Sequence, residues 1–185
     1  MTDWRERLSH LKWEHLWQLV IFPAYKEGFE VVSESFEALL KADWPRDRFI
    51  VVMTFEERGG REAEETRRRI KEKYGSKFKY FLDTVHPAGI PGELAGKGSN
   101  VAWAAKEVKE KIIDARDIKY EDIIVSSFDI DTRVYPQYFL CLAFNFLTAE
   151  NPYRSSFQPV PIYNNNIWVA PAVSRVVATS GTFWQ

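Results

Sequence analysis

The chain is expected to fold as an α/β domain, a mostly parallel sheet flanked by helices, on three observations. Short apolar runs recur at 18–22 (QLVIF), 48–55 (RFIVVMTF), 77–83 (KFKYFLD) and 122–128 (DIIVSSF), each of strand length and rich in β-branched or aromatic residues. The segments between them carry helical spacing or helix-forming residues. Strands that alternate with helices in this way need right-handed crossovers, and these leave a parallel sheet covered on both faces.

Each element has its own justification. Residues 1–17 carry the charged, amphipathic TDWRERLSHLKWEHLW and predict a leader helix. The first strand, 18–22, is expected to close at Pro23. The helix over 27–42 places Phe29, Val32, Phe36, Leu39 and Leu40 on one stripe. After the second strand, the turn RGG opens a polar helix from about Glu62 to Tyr74, stopped by Gly75. The third strand leads into a long Pro/Gly-rich loop, VHPAGIPGELAGKG, and a helix over about 99–113 in which Ser99 or Asn100 would cap the first turn. The fourth strand is followed by PQYFLCLAFNFLTA, which opens on a proline suited to a first helical turn.

Bulk properties exclude several functions. Lys and Arg number 25 against 26 Asp and Glu, so no long-range field recommends nucleic acid as a partner, and any anion site must be local. With 45% hydrophobic and 15% aromatic residues in 185, the chain can bury one sizeable core. The single cysteine, Cys141 within YFLCLAFNF, reads as a core residue of a reducing compartment rather than a nucleophile. No secretory leader pattern opens the chain. Its longest apolar stretch, Tyr138 to Leu147, is about half of the ~20 residues a membrane span needs.

Three unusual loops follow strands: PAYKE at 23–27, TFEERGG at 54–60 and FDIDT at 128–132. In parallel sheets ligands bind beyond the carboxyl ends of the strands. Asp129 and Asp131, at i and i+2 where a strand ends, can hold one hard divalent cation and leave its other positions to water and phosphate oxygens. A turn in which either aspartate bonds its own backbone gives the same two letters. In GELAGKGSN, Lys97 stands between glycines just before a helix, the composition of an anion site. It is not a Walker sequence, and a solvated glycine-rich loop has the same composition. Tyr25 could support a base and Glu27 polar groups of a ribose, although Glu27 also simply suits the positive end of the following helix. His86 is isolated from His10 and His15, which argues against a histidine metal site.

In this order, VIFPAYKE, VVMTFEERGG, HPAGIPGELAGKGSNVAWA and SSFDIDTRVYPQYF resemble the family 2 glycosyltransferases, in particular their processive, membrane-associated, cellulose synthase-like branch. The resemblance runs from about Gln18 onward. It implies the nucleotide-diphospho-sugar transferase fold (GT-A, Rossmann-like), of which residues 18–185 would be the donor-binding domain, with an incomplete acceptor half. It implies a nucleoside diphosphate sugar, often a uridine one, as donor and a glycan or lipid as acceptor. Asp129 and Asp131 would hold Mg²⁺ or Mn²⁺, with Asp129 also facing the donor. Pro23, Ala24, Tyr25 and Glu27 would line the nucleoside pocket, Lys97 would neutralise diphosphate charge, and His86 and Asn100 would shape the same loop.

Two departures stand out. Where many members carry an aspartate pair after the second strand to grip the base, this chain offers Glu56 or Glu57 to serve in its place. No counterpart of the family's later catalytic base or of its Q-x-x-R-W motif follows, so the catalytic residue stays unassigned. The chain is therefore expected to be a donor-binding fragment, cytoplasmic or held at the cytoplasmic face of a membrane through other segments. The stretch from about Arg154, with Trp168 and Trp184, would expose apolar surface for a missing half. A non-catalytic nucleotide-sugar or metal-binding module, and a nucleotidyltransferase-like domain, remain alternatives.

Overall fold

The computed structural model describes residues 2–159. Met1–Tyr153 form one compact unit and Arg154–Gln185 a second, of which residues 155–159 carry no regular secondary structure. Trp168, Trp184 and the apolar surface expected around them lie outside the described residues.

Four strands, β1 (Trp17–Ala24), β2 (Phe49–Glu56), β3 (Tyr80–His86) and β4 (Ile123–Ser127), form one sheet in the order β3-β2-β1-β4. All three pairings are parallel. The helices are α1 (Trp4–Leu8), α2 (Phe29–Leu40), α3 (Gly60–Tyr74), α4 (Lys97–Val108) and α5 (Tyr138–Thr148). This is the α/β class expected, with the Rossmann-like strand order of a doubly wound sheet.

The two central strands are covered on both faces, which is why their sequences run apolar without alternation. On one face Leu19, Ile21, Ile50 and Val52 meet Ala104 and Val108 of α4, with Ile112 and Ile113 of the π-helical turn that extends it. On the other face the aromatic residues gather. Phe36 of α2 lies 5.3 Å from Phe22 and 5.1 Å from Tyr74 of α3 between ring centroids, and Phe49 meets Phe139 of α5 at 5.0 Å. Edge-to-face and offset geometries of this kind add to what burial alone gives.

Several elements differ from the sequence expectation, each for a local reason. The first strand does not stop before Pro23 but continues to Ala24, although proline is normally barred from a central strand. The last β1–β4 pair is Ile21 with Ser127, and Phe128 N–H donates to Ile21 C=O at 3.1 Å. Two residues on, Pro23 faces the same side, where β4 has already left the sheet, so its missing N–H breaks no ladder bond. The third strand lies at Tyr80–His86 rather than 77–83, because Lys79 N–H bonds Arg46 C=O in a loop. The strand's polar residues are satisfied: Asp83 pairs with Arg67 and Lys71 of α3, and Thr84 accepts from Trp103 at 3.0 Å.

The leader is helical only over Trp4–Leu8, capped by Asp3, and not through residue 17. Ser9 closes the helix by donating its hydroxyl to Glu6 C=O at 2.6 Å. Leu8 and Leu16 are both buried, and Trp13 lies tilted against Trp44 at 5.1 Å between ring centroids, so tertiary packing replaces further helix. The polar α3 is not wholly solvated: Ala63, Thr66, Ile70 and Tyr74 make a buried stripe. Cys141 is half-buried, and burial pushes its thiol pKa up, which disfavours the nucleophilic thiolate. Among the described residues no helix is long and apolar enough to cross a membrane.

Candidate functional site

The strand order arranges the loops in a row along the carboxyl edge of the sheet. His86 ends β3, Glu56 ends β2, Ala24 ends β1 and Ser127 ends β4. β1 lies between β2 and β4, and β4 ends opposite Ile21 and Val52 while β2 runs on to Glu56, so the two ends are offset along the strands as well as by two strand spacings of ~4.8 Å, roughly 16 Å in all.

At the β4 end, residues 128–131 keep an alternating pattern: Phe128 and Ile130 are buried at 8% and 4% exposure, while Asp129 and Asp131 face solvent. The two apolar side chains anchor the loop and leave both carboxylates in solvent. The backbone is fixed as well. Ser35 of α2 donates its hydroxyl to Ile130 C=O at 2.6 Å, Thr132 N–H closes a turn on Asp129 C=O at 2.9 Å, and Arg133 pairs with Glu34 of α2. Hard oxygen donors at i and i+2, on a braced backbone with solvent in front, suit a divalent cation that keeps water or phosphate in its remaining positions. Among the described residues no group of three or more His, Cys, Asp or Glu gathers to enclose a metal by itself. Such an ion would therefore need oxygens from a ligand.

Lys97 is the first residue of α4 and its ammonium pairs with Asp129. Glycine-rich segment and D-x-D loop are thus brought together, as expected. The capping expectation is corrected: neither Ser99 nor Asn100 caps α4. Gly96 is the N-cap and makes no side-chain hydrogen bond, while Ser99 donates instead to Leu94 C=O at 2.8 Å and Gly96 C=O at 3.0 Å. The first N–H groups of α4 consequently have no side-chain acceptor at the helix end that carries partial positive charge.

Asn100 lies beneath the site. It is 1% exposed; its Oδ1 accepts from the Thr54 hydroxyl at 2.6 Å and its Nδ2 donates to Ala24 C=O at 3.3 Å and Thr54 C=O at 3.2 Å. One side chain thereby clips the ends of β1 and β2 to the first turn of α4. Expected to cap the helix and shape the glycine-rich loop, it instead ties the strand ends beneath that loop. Asn100→Ala would leave these buried groups without a partner, at about 1–3 kcal/mol for each group left unsatisfied. Urea denaturation of the variant is expected to show that loss with an unchanged m-value; a midpoint equal to that of the parent chain would contradict the clip.

Pro23 and Ala24 are buried in β1, so their contribution to a pocket is backbone. Glu27 turns inward on its own loop, where its Oε2 accepts from Tyr25 N–H at 2.6 Å and Lys26 N–H at 3.1 Å. The carboxylate shapes the PAYKE turn. Tyr25 is half-exposed and carries cations over its ring, Arg58 at 5.3 Å and Lys26 at 5.0 Å from the centroid.

At the β2 end, Glu56 is 7% exposed and accepts from Arg58, with Nε at 3.0 Å and a second, terminal nitrogen on the same oxygen. The bond to Glu56 raises the Arg58 pKa further above its already high value, so the guanidinium stays charged. Glu57 takes a different job: its Oε2 accepts from Ala88 N–H at 2.8 Å and ties down the long β3–α4 loop. That loop has a second tie, where His86 Nε2 donates to Glu93 Oε2 at 2.8 Å. His86 is 5% exposed and leans on Trp103 of α4. Glu56, Arg58, His86, Pro87, Ile90 and Glu93 line a concavity between these loops. Arg58 is the residue that sequence reasoning passed over, although it stands inside the quoted EERGG motif.

No family model and no curated protein matches the chain. Among solved structures it is similar to residues 1–349 of S. aureus TarS, with a TM-score of 0.48 and 18% identity over 83% of this chain and 44% of that one. The same TarS segment in complex with UDP-GlcNAc gives 0.45 and 20% over 80% and 39%. A longer TarS structure gives 0.48 and 19% over 83% and 27%. The chain spans less than half the length of each of these structures, and at such scores the likeness carries no functional argument.

Proposed function

We propose that this domain is the donor-binding portion of a GT-A-type glycosyltransferase, taking a nucleoside diphosphate sugar with a divalent metal. One observation carries the reading: the row formed by Glu56 and Arg58, Tyr25, and Lys97 with Asp129 along one sheet edge. An aromatic ring with a guanidinium toward one end and an ammonium beside Asp129 toward the other suit a nucleoside at one end and a diphosphate at the other. The nucleoside lies toward β2 and β1, over Tyr25. The diphosphate lies toward β4, where Lys97 and the N–H groups opening α4 meet negative charge.

Asp129 and Asp131 would hold Mg²⁺ or Mn²⁺. When bound, such an ion supplies Lewis-acid stabilisation of the negative charge left on the departing nucleotide. The chain's own residues do the remaining work. Ser35 and the turn at Thr132 keep the two carboxylates directed outward. Lys97 exchanges Asp129 for a phosphate oxygen, and Asn100 holds the helix that carries it. A glycan or lipid acceptor, and association of the parent protein with a membrane, follow only from the family resemblance.

Titration calorimetry of the 185-residue chain with UDP and UDP-GlcNAc, in Mn²⁺ and in EDTA, tests the proposal. Binding is expected in Mn²⁺ and absent in EDTA, and Asp131→Asn is expected to weaken it by at least about tenfold, through loss of charge at a ligand position. Equal affinity in EDTA would point to a metal-free nucleotide-binding module, and no binding in either condition would sink the reading.

A further inference from the structure

We propose that the foot of the sheet is an internal hydration site, in which ordered water takes the hydrogen bonds of the Gln18 amide and the Trp44 indole N–H. It lies at the amino end of the strands and is independent of what the loops at their carboxyl end bind.

Gln18, near the start of β1, is 0% exposed. Its neighbours across the sheet are Phe49 of β2 and Ile124 of β4, both buried. Leu19 and Ile21 turn toward α4, so the alternation of a strand sends Gln18 to the opposite face, where Phe49 meets Phe78 and Phe139. An aromatic and aliphatic wall offers an amide no conventional partner. Both Oε1 and Nε2 are buried, and neither has a hydrogen-bond partner among the described residues. Trp44 repeats the observation, with its Nε1 buried and equally without a partner. Its segment runs along the same face: Asp43 N–H donates to Pro136 C=O at 2.7 Å, just ahead of α5, the helix that brings Phe139 to Phe49. The leader closes this corner from outside through Trp13, packed on Trp44, and the buried Leu16.

Elsewhere in the core the buried polar side chains are paired, Thr54 with Asn100, Ser33 with Tyr74 and Ser35 with Ile130 C=O. Among the described residues, every buried side-chain nitrogen or oxygen without a partner belongs to Gln18 or Trp44. Such groups are costly to bury, and in native proteins they are bonded to protein or to ordered water in the great majority of cases. The chemistry of the two side chains selects the ligand. An amide and an indole present donors and one carbonyl acceptor and carry no charge, so an ion would lack a counter-charge here and an apolar guest would leave all of them unpaired. A buried water makes about three hydrogen bonds, both giving and accepting. That is the number and the mixture these side chains need.

The experiment is NMR of the 185-residue chain, with rotating-frame Overhauser spectra read from the water resonance to the Gln18 side-chain amide and the Trp44 indole N–H. Cross-peaks to both are expected. Oxygen-17 relaxation dispersion then counts long-lived waters in the parent chain and in Gln18→Met, which keeps an unbranched side chain and removes the amide. The variant is expected to lose at least about one such water, with a thermal melt that shows it folded. Because the cross-peaks are read on the parent chain, the proposal stays testable even where Gln18→Met fails to fold. Three results overturn it. Amide protons shielded by ring currents without a water cross-peak would show that the phenylalanine faces accept these N–H groups instead. A scalar coupling across a hydrogen bond between the Trp44 indole and the Gln18 carbonyl would show that the two side chains satisfy each other. An equal water count in folded Gln18→Met would show that no water is held by the amide.

Discussion

Replacing Phe36 by alanine is expected to destabilise the domain by about 3–5 kcal/mol, the range for removing a fully buried aromatic side chain. Phe36 is 0% exposed and its ring meets Phe22, Tyr74, Phe78 and Phe81. Through it α2 joins the first strand, the third strand and α3. Domains of this size have about 5–15 kcal/mol in total, so the variant is expected to melt far below the parent chain or fail to fold. Urea denaturation followed by circular dichroism measures the loss. A change under about 1 kcal/mol, the size of an ordinary surface substitution, would mean that these rings are not closely packed.

Asp129→Ala is expected to reduce metal-dependent nucleotide binding by at least about 100-fold, since even outer partners of metal ligands are worth ~10–100-fold. Lys97→Met separates this from a general loss of structure, because its effects have opposite signs. The Lys97–Asp129 pair is exposed on both sides, 55% and 69%, and an exposed pair is worth only about 0–1 kcal/mol. Removing the lysine frees Asp129, so Mn²⁺ alone is expected to bind slightly better. UDP with Mn²⁺ is expected to bind about 10–100-fold worse, because a charged hydrogen bond to phosphate is worth about 1.5–3 kcal/mol. Manganese EPR gives the first quantity and calorimetry the second. Weaker binding of Mn²⁺ alone by Lys97→Met would contradict the exchange of partners proposed for this lysine.

The central strands were legible because β1 and β2 are buried on both faces and their sequences say so. The edge strand β3 was not. Its apolar cluster begins at Phe78, but Lys79 belongs to a loop bonded to Arg46, and the strand instead recruits Asp83 and Thr84, whose polarity is satisfied only by α3 and α4. Local propensity cannot anticipate partners that distant in sequence. The same holds at the site. Asp129, Asp131 and Lys97 are visible in short motifs, and Lys97 meets Asp129 as expected. Asn100 looks like a cap until its bonds to Ala24 and Thr54, 76 and 46 residues away, turn it into a buried clip. Arg58 looks like a turn residue until Glu56 and Tyr25 hold it. A carboxylate two positions before an arginine, ahead of a glycine pair, was the available signal.

The proline in β1 bears on how this loop system could be altered. Phe128 is the last residue of the β4 side to bond to β1, and at Pro23 the next rung has no hydrogen to offer. The D-x-D loop starts where that rung is missing, and the buried Phe128 and Ile130 with the Ser35 hydroxyl then hold it from its own side. Libraries confined to the exposed positions 129 and 131 would change what the loop grips while Phe128, Ile130 and the Ser35 hydroxyl kept its course. Grip can thus be varied at two exposed positions while the buried anchors beside them set the aim.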